Sequence, residues 1–341
     1  MPSYTFSSST TLGRHPRHLN GLSFLATVVV LTVLAITGME MFWRSKGHFP
    51  VVGDTASRWG LYVDKIPDND PSAILVVGSS RVQLGIDTDL MQREMGASTA
   101  IQLSRAASSP MPMLDYLMNA TEFSGTLICG INPGLMFDAQ ERGQDNVRAM
   151  LEQRENRPYY TPLEEILLGW SQGGFTVNNA SVSWKLAGNA IFRGKWPTPP
   201  YGRLTGSRFM RVDYELCTDL EKLRADYMNV VQDGHAMGDE QFKALLNDLQ
   251  QVRHTVERRG GRILFVRMPS SDVLWDLEDA RCPKDRFWNV LKERFGSDAV
   301  HFHEIEQALG EPFVCPDSNH LDYRDAARLT EYLCDHLRKT R

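Results

Sequence analysis

The chain has 341 residues, of which 42% are hydrophobic and 23% charged, and its 37 basic and 42 acidic residues give a formal net charge of −5. This is the composition of a globular protein with one large domain or two small ones, and it excludes collagen-like and disordered chains. Without an excess of positive charge the chain is not expected to bind nucleic acid. A mean hydropathy of −0.32 excludes a protein that crosses a membrane repeatedly.

The first predicted element is a membrane anchor at residues 19–39, which follows a polar tail at residues 1–18 that we expect to be disordered and cytoplasmic. The anchor segment contains no charged residue. As a helix it would be about 31 Å long at about 1.5 Å per residue, which matches one bilayer crossing. Trp43 lies just beyond it, where an amphipathic ring favours the membrane interface.

The flanking charges predict the orientation of this anchor. Arg14 and Arg17 precede the segment and favour a cytoplasmic N-terminus, whereas Arg44 and Lys46 on the far side weaken that bias. A cleaved signal peptide is the alternative, but no small-x-small cleavage site is found after Ala35. With an uncleaved anchor, the rest of the chain lies in a periplasmic or extracellular compartment.

Short apolar runs separated by helical patterns follow a predicted juxtamembrane linker. Residues 73–78 form such a run ended by glycine, which is typical of a central strand buried on both faces. Similar runs occur at residues 99–103 and 126–131, with a helix between the first two capped by Asp87 or Thr88. The alternation predicts right-handed parallel crossovers and a three-layer α/β/α sheet.

The middle of the chain is rich in aromatic residues and proline, and we interpret residues 138–207 as an insertion of helices and loops. Regular patterns then return as a helix over residues 239–259, a strand over 261–269, a helix over 285–295, a strand over 299–303 and a helix over 323–338. The predicted division is a tail at 1–18, an anchor at 19–39, a linker at 40–72 with one short helix near 56–63, and an exported domain at 73–341.

Two short motifs contain residue types that carry out nucleophilic catalysis. Gly78-Ser79-Ser80 follows the first strand, at the edge where open α/β sheets bind ligands, and a serine in such a turn can present both its hydroxyl and its N–H. Asp317 lies three residues before His320, so its carboxylate can fix the histidine tautomer that accepts a proton from serine. Taken singly, an ordinary loop and a pair of helix caps are the alternatives.

Together and in this order, the motifs resemble those of the SGNH hydrolase superfamily, also called GDSL-like esterases. The first motif matches the Gly-Asp-Ser block with Ser79 in place of the usual aspartate, and the second matches the Asp-x-x-His block. The resemblance covers roughly residues 73–134 and 262–338. It implies a flavodoxin-like sheet and a catalytic triad of Ser80, Asp317 and His320, with no cofactor.

The family supplies oxyanion donors from a glycine after the second strand and an asparagine after the third. Here the loop after the second strand has no glycine, so Ala107 is the nearest backbone donor beside the N–H of Ser80. Asn132 follows the third strand, where an Asn-Pro-Gly sequence is equally typical of a simple turn. Arg81 and Arg105 are predicted either to line the cleft and bind an anionic group or to pair with carboxylates.

The five cysteines form no CxxC pair and have no metal-ligand spacing with histidine, so no metal site is predicted. An exported domain permits a disulfide, and Cys282 with Cys315 is the pair that we consider. Cys129 lies inside an apolar run and is expected to be a buried small hydrophobic residue.

The resemblance implies acyl transfer through Ser80, to water in an esterase or to a sugar hydroxyl in an acyltransferase. A single anchor before an SGNH-like domain is similar in layout to the D-alanine transfer proteins of teichoic acid synthesis and the O-acetylation proteins of bacterial exopolysaccharides. That layout implies a protein of the bacterial inner (cell) membrane. It would act on ester-bearing glycans or small acyl esters, beside a membrane-bound O-acyltransferase as partner.

Two other functions remain open. One is a non-catalytic polysaccharide-binding or assembly protein on the same fold, which the missing glycine and Ser79 favour. The other is a soluble, cleaved esterase.

Overall fold

The computed structural model describes residues 21–180, 192, 194, 196–231 and 234–340. The predicted tail at residues 1–18 and part of the predicted insertion lie outside the described residues. The described strands are β1 Ile74–Val77, β2 Ala100–Gln102, β3 Thr126–Ile131, β4 Gly202–Leu204, β5 Met210–Val212, β6 Arg262–Arg267 and β7 Ala299–His301.

The helices of the first half are α1 Gly21–Ser45, α2 Ala56–Val63, α3 Ser80–Gly85, α4 Thr88–Met95, α5 Met111–Ala120, α6 Pro133–Met136, α7 Gln144–Glu155 and α8 Thr161–Gly174. Those of the second half are α9 Leu220–Val231, α10 Asp239–Arg258, α11 Asp272–Arg281, α12 Trp288–Phe295, α13 Phe302–Leu309 and α14 Tyr323–Lys339.

Five strands form a central parallel sheet in the order β2-β1-β3-β6-β7. Every residue of β1 is buried, and alternate residues belong to two different hydrophobic clusters: Leu75 and Val77 to one, Ile74 and Val76 to the other. Successive side chains of a strand point to opposite faces, so apolar side chains cover both faces of the sheet. The predicted parallel α/β sheet is therefore confirmed.

The described part of the predicted insertion contains the helices α7 and α8 and part of a hairpin. α7 and α8 lie within it, and the short antiparallel pair of β4 and β5 begins inside it and ends beyond residue 207. The structure also contains helices that the sequence patterns do not predict, namely α3, α6, α9, α11 and α13.

The segment predicted to be a linker contributes to the core. Thr55 caps α2 by accepting a hydrogen bond from the N–H of Arg58. Trp59 is fully buried in one of the two hydrophobic clusters, and its indole N–H donates to the carbonyl oxygen of Leu103 at 2.8 Å. The packed unit thus begins before residue 73, because burying one tryptophan anchors the whole of α2 against the loop after β2.

The helix α1 is long and apolar enough to cross a membrane, and its apolar part is not buried against the rest of the protein. Only its end is packed, since Trp43 is 3% exposed and its ring lies against His48 and Trp196. A helix that exposes its apolar side chains all round is not a core helix of a soluble domain.

All five cysteines are free thiols, so the disulfide considered for Cys282 and Cys315 is not formed. The two side chains lie in the two different hydrophobic clusters. Cys129 is fully buried, and its burial raises the pKa of its thiol.

Candidate active site

The turn between β1 and α3 carries Ser80 as the first residue of α3. Gly78 has a φ of +153°, and a Cβ atom there would overlap the side chain of Val82. Ser79 caps the helix, because its hydroxyl accepts a hydrogen bond from the N–H of Arg81 at 3.3 Å. The turn therefore requires glycine at its first position and directs Ser80, which is half-buried, to the carboxyl edge of the sheet.

The loop before α14 carries Asp317 and His320. The carboxylate of Asp317 accepts hydrogen bonds from the backbone N–H groups of Asn319 and His320, at 2.9 and 2.7 Å. These bonds close a tight turn in which Ser318 has a φ of +68°. The turn holds Asp317 and His320, which are 0% and 3% exposed, in one fixed relation.

The structure brings the three residues of the predicted triad together. Nδ1 of His320 lies 2.8 Å from Oδ2 of Asp317, and Nε2 lies 2.8 Å from the hydroxyl oxygen of Ser80. Because a carboxylate only accepts hydrogen bonds, the proton of the neutral ring is on Nδ1, and Nε2 accepts from the serine hydroxyl. This is the arrangement in which a histidine can take the proton of an attacking serine.

The environment of Asp317 keeps its carboxyl group ionised. Burial raises its pKa, but hydrogen bonds from His320 and Tyr214, together with the charge of His320, more than offset burial and leave the pKa below its ordinary value of 3.8. An ionised carboxylate at this position orients the imidazole and stabilises the imidazolium that forms when the serine loses its proton.

Tyr214 is a site residue that the sequence analysis missed. It lies in a 3-10 turn after β5, and its hydroxyl donates to Oδ2 of Asp317 at 2.7 Å. Its backbone N–H donates to Asp322, the residue that caps α14. Nothing in the local sequence indicates this role, because about a hundred residues of chain separate the tyrosine from the carboxylate it contacts.

Asn319 contacts the histidine nitrogen that faces the serine. Its Oδ1 accepts from Nε of Arg81 at 2.7 Å, and its Nδ2 lies 3.2 Å from Nε2 of His320. Arg81 has only donors, so it fixes which end of the Asn319 amide points toward the histidine. Asn319 is therefore a positioning residue, held by Arg81.

Arg81 is itself buried, at 2% exposure, and forms a two-point ion pair with Glu278 at 3.0 and 2.5 Å. Arg267 and Ser270 also donate to Glu278, at 2.8 and 3.0 Å. Burial raises the pKa of Glu278. The charges of Arg81 and Arg267 lower it by more than burial raises it, and the resulting pKa is about 2. A hydrogen-bonded ionic cluster thus lies beneath the turn of Gly78, Ser79 and Ser80.

Arg105 also forms an ion pair, with Asp54. Its guanidinium donates to the carboxylate and the backbone oxygen of Asp54, both at 2.7 Å. Of the two roles predicted for Arg81 and Arg105, pairing with carboxylates describes the contacts that they make. Binding of a substrate anion by either one remains a prediction. Asp54 was not singled out in the sequence, yet it also binds Arg208 and Gln83.

The predicted oxyanion donors lie at the ends of β1, β2 and β3, three neighbouring strands. Oδ1 of Asn132 accepts from the N–H of Gly134 at 3.1 Å, which caps α6 and leaves Nδ2 for another partner. Within the described part of the chain, no hydrogen bond is made by this Nδ2 or by the N–H groups of Ser80 and Ala107. Ala107 has a φ of +52°, a conformation that favours glycine. Their role as oxyanion donors remains a prediction.

A surface groove of about 1210 Å³ lies among α5, α7 and α10 and is not lined by the triad residues. Among the residues that the structure describes, no group of three or more His, Cys, Asp or Glu side chains is placed to hold a metal ion. Comparison with protein-family models and with curated proteins finds no match.

Proposed function

We propose that the protein is a membrane-anchored serine esterase or O-acyltransferase of the SGNH type. The observation that carries this proposal is the continuous chain of hydrogen bonds from Asp317 through His320 to Ser80, with both contacts of the imidazole at 2.8 Å. Sheet order supports the same class, since β2-β1-β3-β6-β7 is the 2-1-3-4-5 order of flavodoxin-like sheets, which bind ligands at the β1/β3 switch point.

The chemistry would proceed in two acyl transfers. The Ser80 oxygen attacks the ester carbonyl carbon while Nε2 of His320 takes the hydroxyl proton, and His320 then returns that proton to the leaving alcohol. Water or a sugar hydroxyl next loses its proton to Nε2 of His320 and attacks the acyl carbon. The bond from that carbon to the Ser80 oxygen breaks, and His320 returns the proton to this oxygen, which regenerates the serine hydroxyl. Asp317 stabilises the imidazolium in both steps.

The developing negative charge on the carbonyl oxygen needs donors that are not already engaged. The N–H groups of Ser80 and Ala107 and the side-chain amide of Asn132 meet this requirement, because none has a hydrogen-bond partner within the described residues. A preorganised donor stabilises the transition state without reorganisation when the charge appears.

The proposed substrates are acyl esters of glycans in the bacterial cell envelope or on exported polysaccharides, with the domain in the periplasmic or extracellular compartment and the N-terminus in the cytoplasm. The layout of an α1 anchor before the α/β domain supports this class and favours a membrane-bound O-acyltransferase as the partner that supplies acyl groups.

A fluorophosphonate probe tests the proposal, because it reacts covalently only with an activated serine. We expect the wild-type protein to be labelled and the Ser80→Ala and His320→Ala variants to be unlabelled. Ser79→Ala is the matched control: its hydroxyl only caps α3, so this variant should keep its labelling. An unlabelled wild-type protein, or a labelled Ser80→Ala variant, would contradict a serine-hydrolase function and leave a non-catalytic binding protein as the explanation.

A further inference from the structure

The helix α8 exposes an apolar face. Leu163, Ile166, Leu167 and Trp170 occupy positions i, i+3, i+4 and i+7, which is one face of a helix. These side chains are 61%, 60%, 57% and 73% exposed. A stripe of four large apolar side chains in contact with water is costly for a helix of a soluble domain.

The opposite face of α8 is polar and turned toward the protein. Glu165 is 8% exposed and accepts hydrogen bonds from the Thr55 hydroxyl at 3.2 Å, and its backbone oxygen accepts from Arg58 at 2.9 Å. Gln172, two turns later, accepts from the N–H of Gly53 at 3.0 Å. The helix is therefore inverted relative to ordinary surface helices, with polar side chains inside and apolar side chains outside.

The C-terminal end of α8 is fixed to the end of α1. The carboxylate of Glu40 accepts hydrogen bonds from the backbone N–H groups of Thr176 and Val177 at 3.0 and 2.9 Å. These two residues form the 3-10 turn that follows α8 directly. Glu40 is the first charged residue after the apolar segment, so α8 ends at the level where α1 leaves its apolar stretch.

Length and charge specify how α8 would meet a bilayer. Its 14 residues extend about 21 Å at about 1.5 Å per residue, which is too short to cross a hydrocarbon core of about 30 Å. The helix contains no lysine or arginine, so attraction to anionic lipids is not its means of binding. Insertion of an apolar face into the interfacial plane fits both properties.

The apolar surface around α8 is continuous with other exposed aromatic side chains. Trp170 lies 6.2 Å from Phe175, centroid to centroid, and Tyr159 and Tyr160 precede the helix at 96% and 54% exposure. Trp196, which is 53% exposed, packs against Phe42 and Trp43 of α1. Away from α1 and this region, the other large exposed hydrophobic side chains of the described residues occur singly, on separate segments of the chain: Phe192, Leu216, Val273, Val290, Leu309 and Val314.

We propose that α8 is a second membrane contact, a helix that lies in the lipid interface beside α1 with its apolar face in the outer part of the bilayer. This inference rests on the anchoring role proposed for α1, and it is independent of the catalytic role proposed for Ser80. We assign the lipid bilayer as the partner of this apolar face. The reason is that the face adjoins the end of α1, the helix that enters the bilayer.

This contact would set the position of the catalytic edge relative to the membrane. Gln172 of α8 binds the N–H of Gly53, and the next residue, Asp54, binds Arg105 after β2 and Gln83 of α3. Two residues of chain thus connect the lipid-facing helix to the loops around Ser80. Contact of α8 with lipid would therefore be linked, through these hydrogen bonds, to the loops that carry the proposed catalytic residues.

Photo-crosslinking in the full chain tests the inference. A benzophenone amino acid replaces Leu167, Leu31 of α1 or Val273 of α11 in separate variants, each reconstituted into phosphatidylcholine vesicles that contain a tagged phosphatidylcholine. Leu31, at 60% exposure, is the matched control for a position inside the membrane. Val273, at 58% exposure, is the matched control for a position in solvent. We expect on the order of tenfold more lipid adduct at position 167 than at position 273, since an interfacial helix buries its apolar face about 5–10 Å deep.

Each result separates the two proposals. Lipid adducts at positions 31 and 167 support the inference whatever the reactivity of Ser80. An adduct at position 31 but not at 167 overturns the role of α8 and leaves the anchor intact. A protein–protein adduct at position 167 overturns it in favour of a second copy or a membrane partner. If position 31 gives no lipid adduct, the anchor and the role of α8 fall together.

Discussion

Asn132 lies between β3 and α6 and caps α6. The two polar atoms of its side chain have different surroundings. Oδ1 accepts the N–H of Gly134, while Nδ2 has no acceptor among the described residues. The cap therefore fixes the amide with its donor free. Of the three proposed oxyanion donors, Asn132 is the one whose donor belongs to a side chain and can be removed by substitution.

The Asn132→Asp variant is expected to lower kcat for a short acyl ester by about 10²-fold or more, because aspartate keeps the cap but lacks the amide donor. KM is expected to change less, since the donor acts on the charge that forms in the transition state. Steady-state kinetics measures both constants, and thermal unfolding verifies that the cap is retained. Wild-type kcat in a well-folded variant would show that Asn132 is not an oxyanion donor.

At this scale the sequence indicated the Asp317–His320 contact from local spacing, whereas Ser80 was predicted only because its motif resembles that of a known family. Asp317 and His320 form one turn, so their spacing alone indicates the contact. Tyr214 and Glu278 were not predicted, because each reaches the site from a distant part of the chain. Their side chains acquire a role only when the sheet brings those segments together.

The placement of Ser80 depends on how closely α3 packs on the ends of two strands. Val82 of α3 lies where a Cβ atom at Gly78 or Gly130 would be, so both glycines are needed for the approach. Gly130 belongs to β3, in which every residue is buried. Glycine inside a buried strand is otherwise unfavourable, which indicates that the close approach of the helix is the reason for it.

The Gly130→Ala variant is expected to lose about 1–3 kcal/mol of unfolding free energy, because the added methyl group overpacks against Val82. Fluorophosphonate labelling should slow in parallel, since α3 carries Ser80. Adding Val82→Ala removes the colliding methyl groups and should restore part of both losses. Chemical denaturation of the single and double variants measures the coupling.

Gly206→Ala is the control for this experiment, because no atom lies within 4 Å of the position of its Cβ and no positive φ is involved. It should change stability by less than about 1 kcal/mol. Additive losses in Gly130→Ala and Val82→Ala, with no rescue in the double variant, would contradict the packing argument.

The bounds of an element could be predicted from the sequence where all its residues are apolar and buried. They could not be predicted where polar residues are buried. β3 was predicted at residues 126–131 and is Thr126–Ile131, because a strand covered on both faces is apolar throughout. α11 was missed because one of its two buried side chains is Glu278. α8 was predicted only as part of an insertion of helices and loops, and its pattern is the reverse of an ordinary surface helix, with its apolar side chains exposed.

At the scale of the whole molecule, the described residues pack around the five-stranded parallel sheet. The buried ionic cluster lies under the edge of this sheet that carries Ser80. The alternation of elements predicted the parallel sheet but not the order of its strands, because neighbouring strands are chosen by packing and not by sequence order. The cluster joins α3, β6 and α11 through Arg81, Arg267 and Glu278. It therefore ties the turn that carries Ser80 to β6 and α11.

Acid should weaken this coupling. The folded-state pKa of Glu278 is about 2, below its ordinary value of 4.5, so the ionised form is the one that stabilises the fold. That stabilisation is complete above about pH 4.5 and is lost as the pH falls toward 2. Asp317, whose pKa is also lowered, acts in the same direction.

The Glu278→Gln variant is expected to be less stable than wild type by about 3–5 kcal/mol at pH 7, because it leaves two buried guanidinium groups without a counter-charge. Its stability should also fall less steeply between pH 4.5 and pH 2, since the group that titrates there has been removed. Thermal unfolding measured from pH 2 to pH 7 gives both effects. Glu293→Gln, an exposed change on α12, is the control and should behave as wild type. A Glu278→Gln protein with wild-type stability at pH 7 and the same acid slope would mean that the cluster does not hold the turn that carries Ser80 in place.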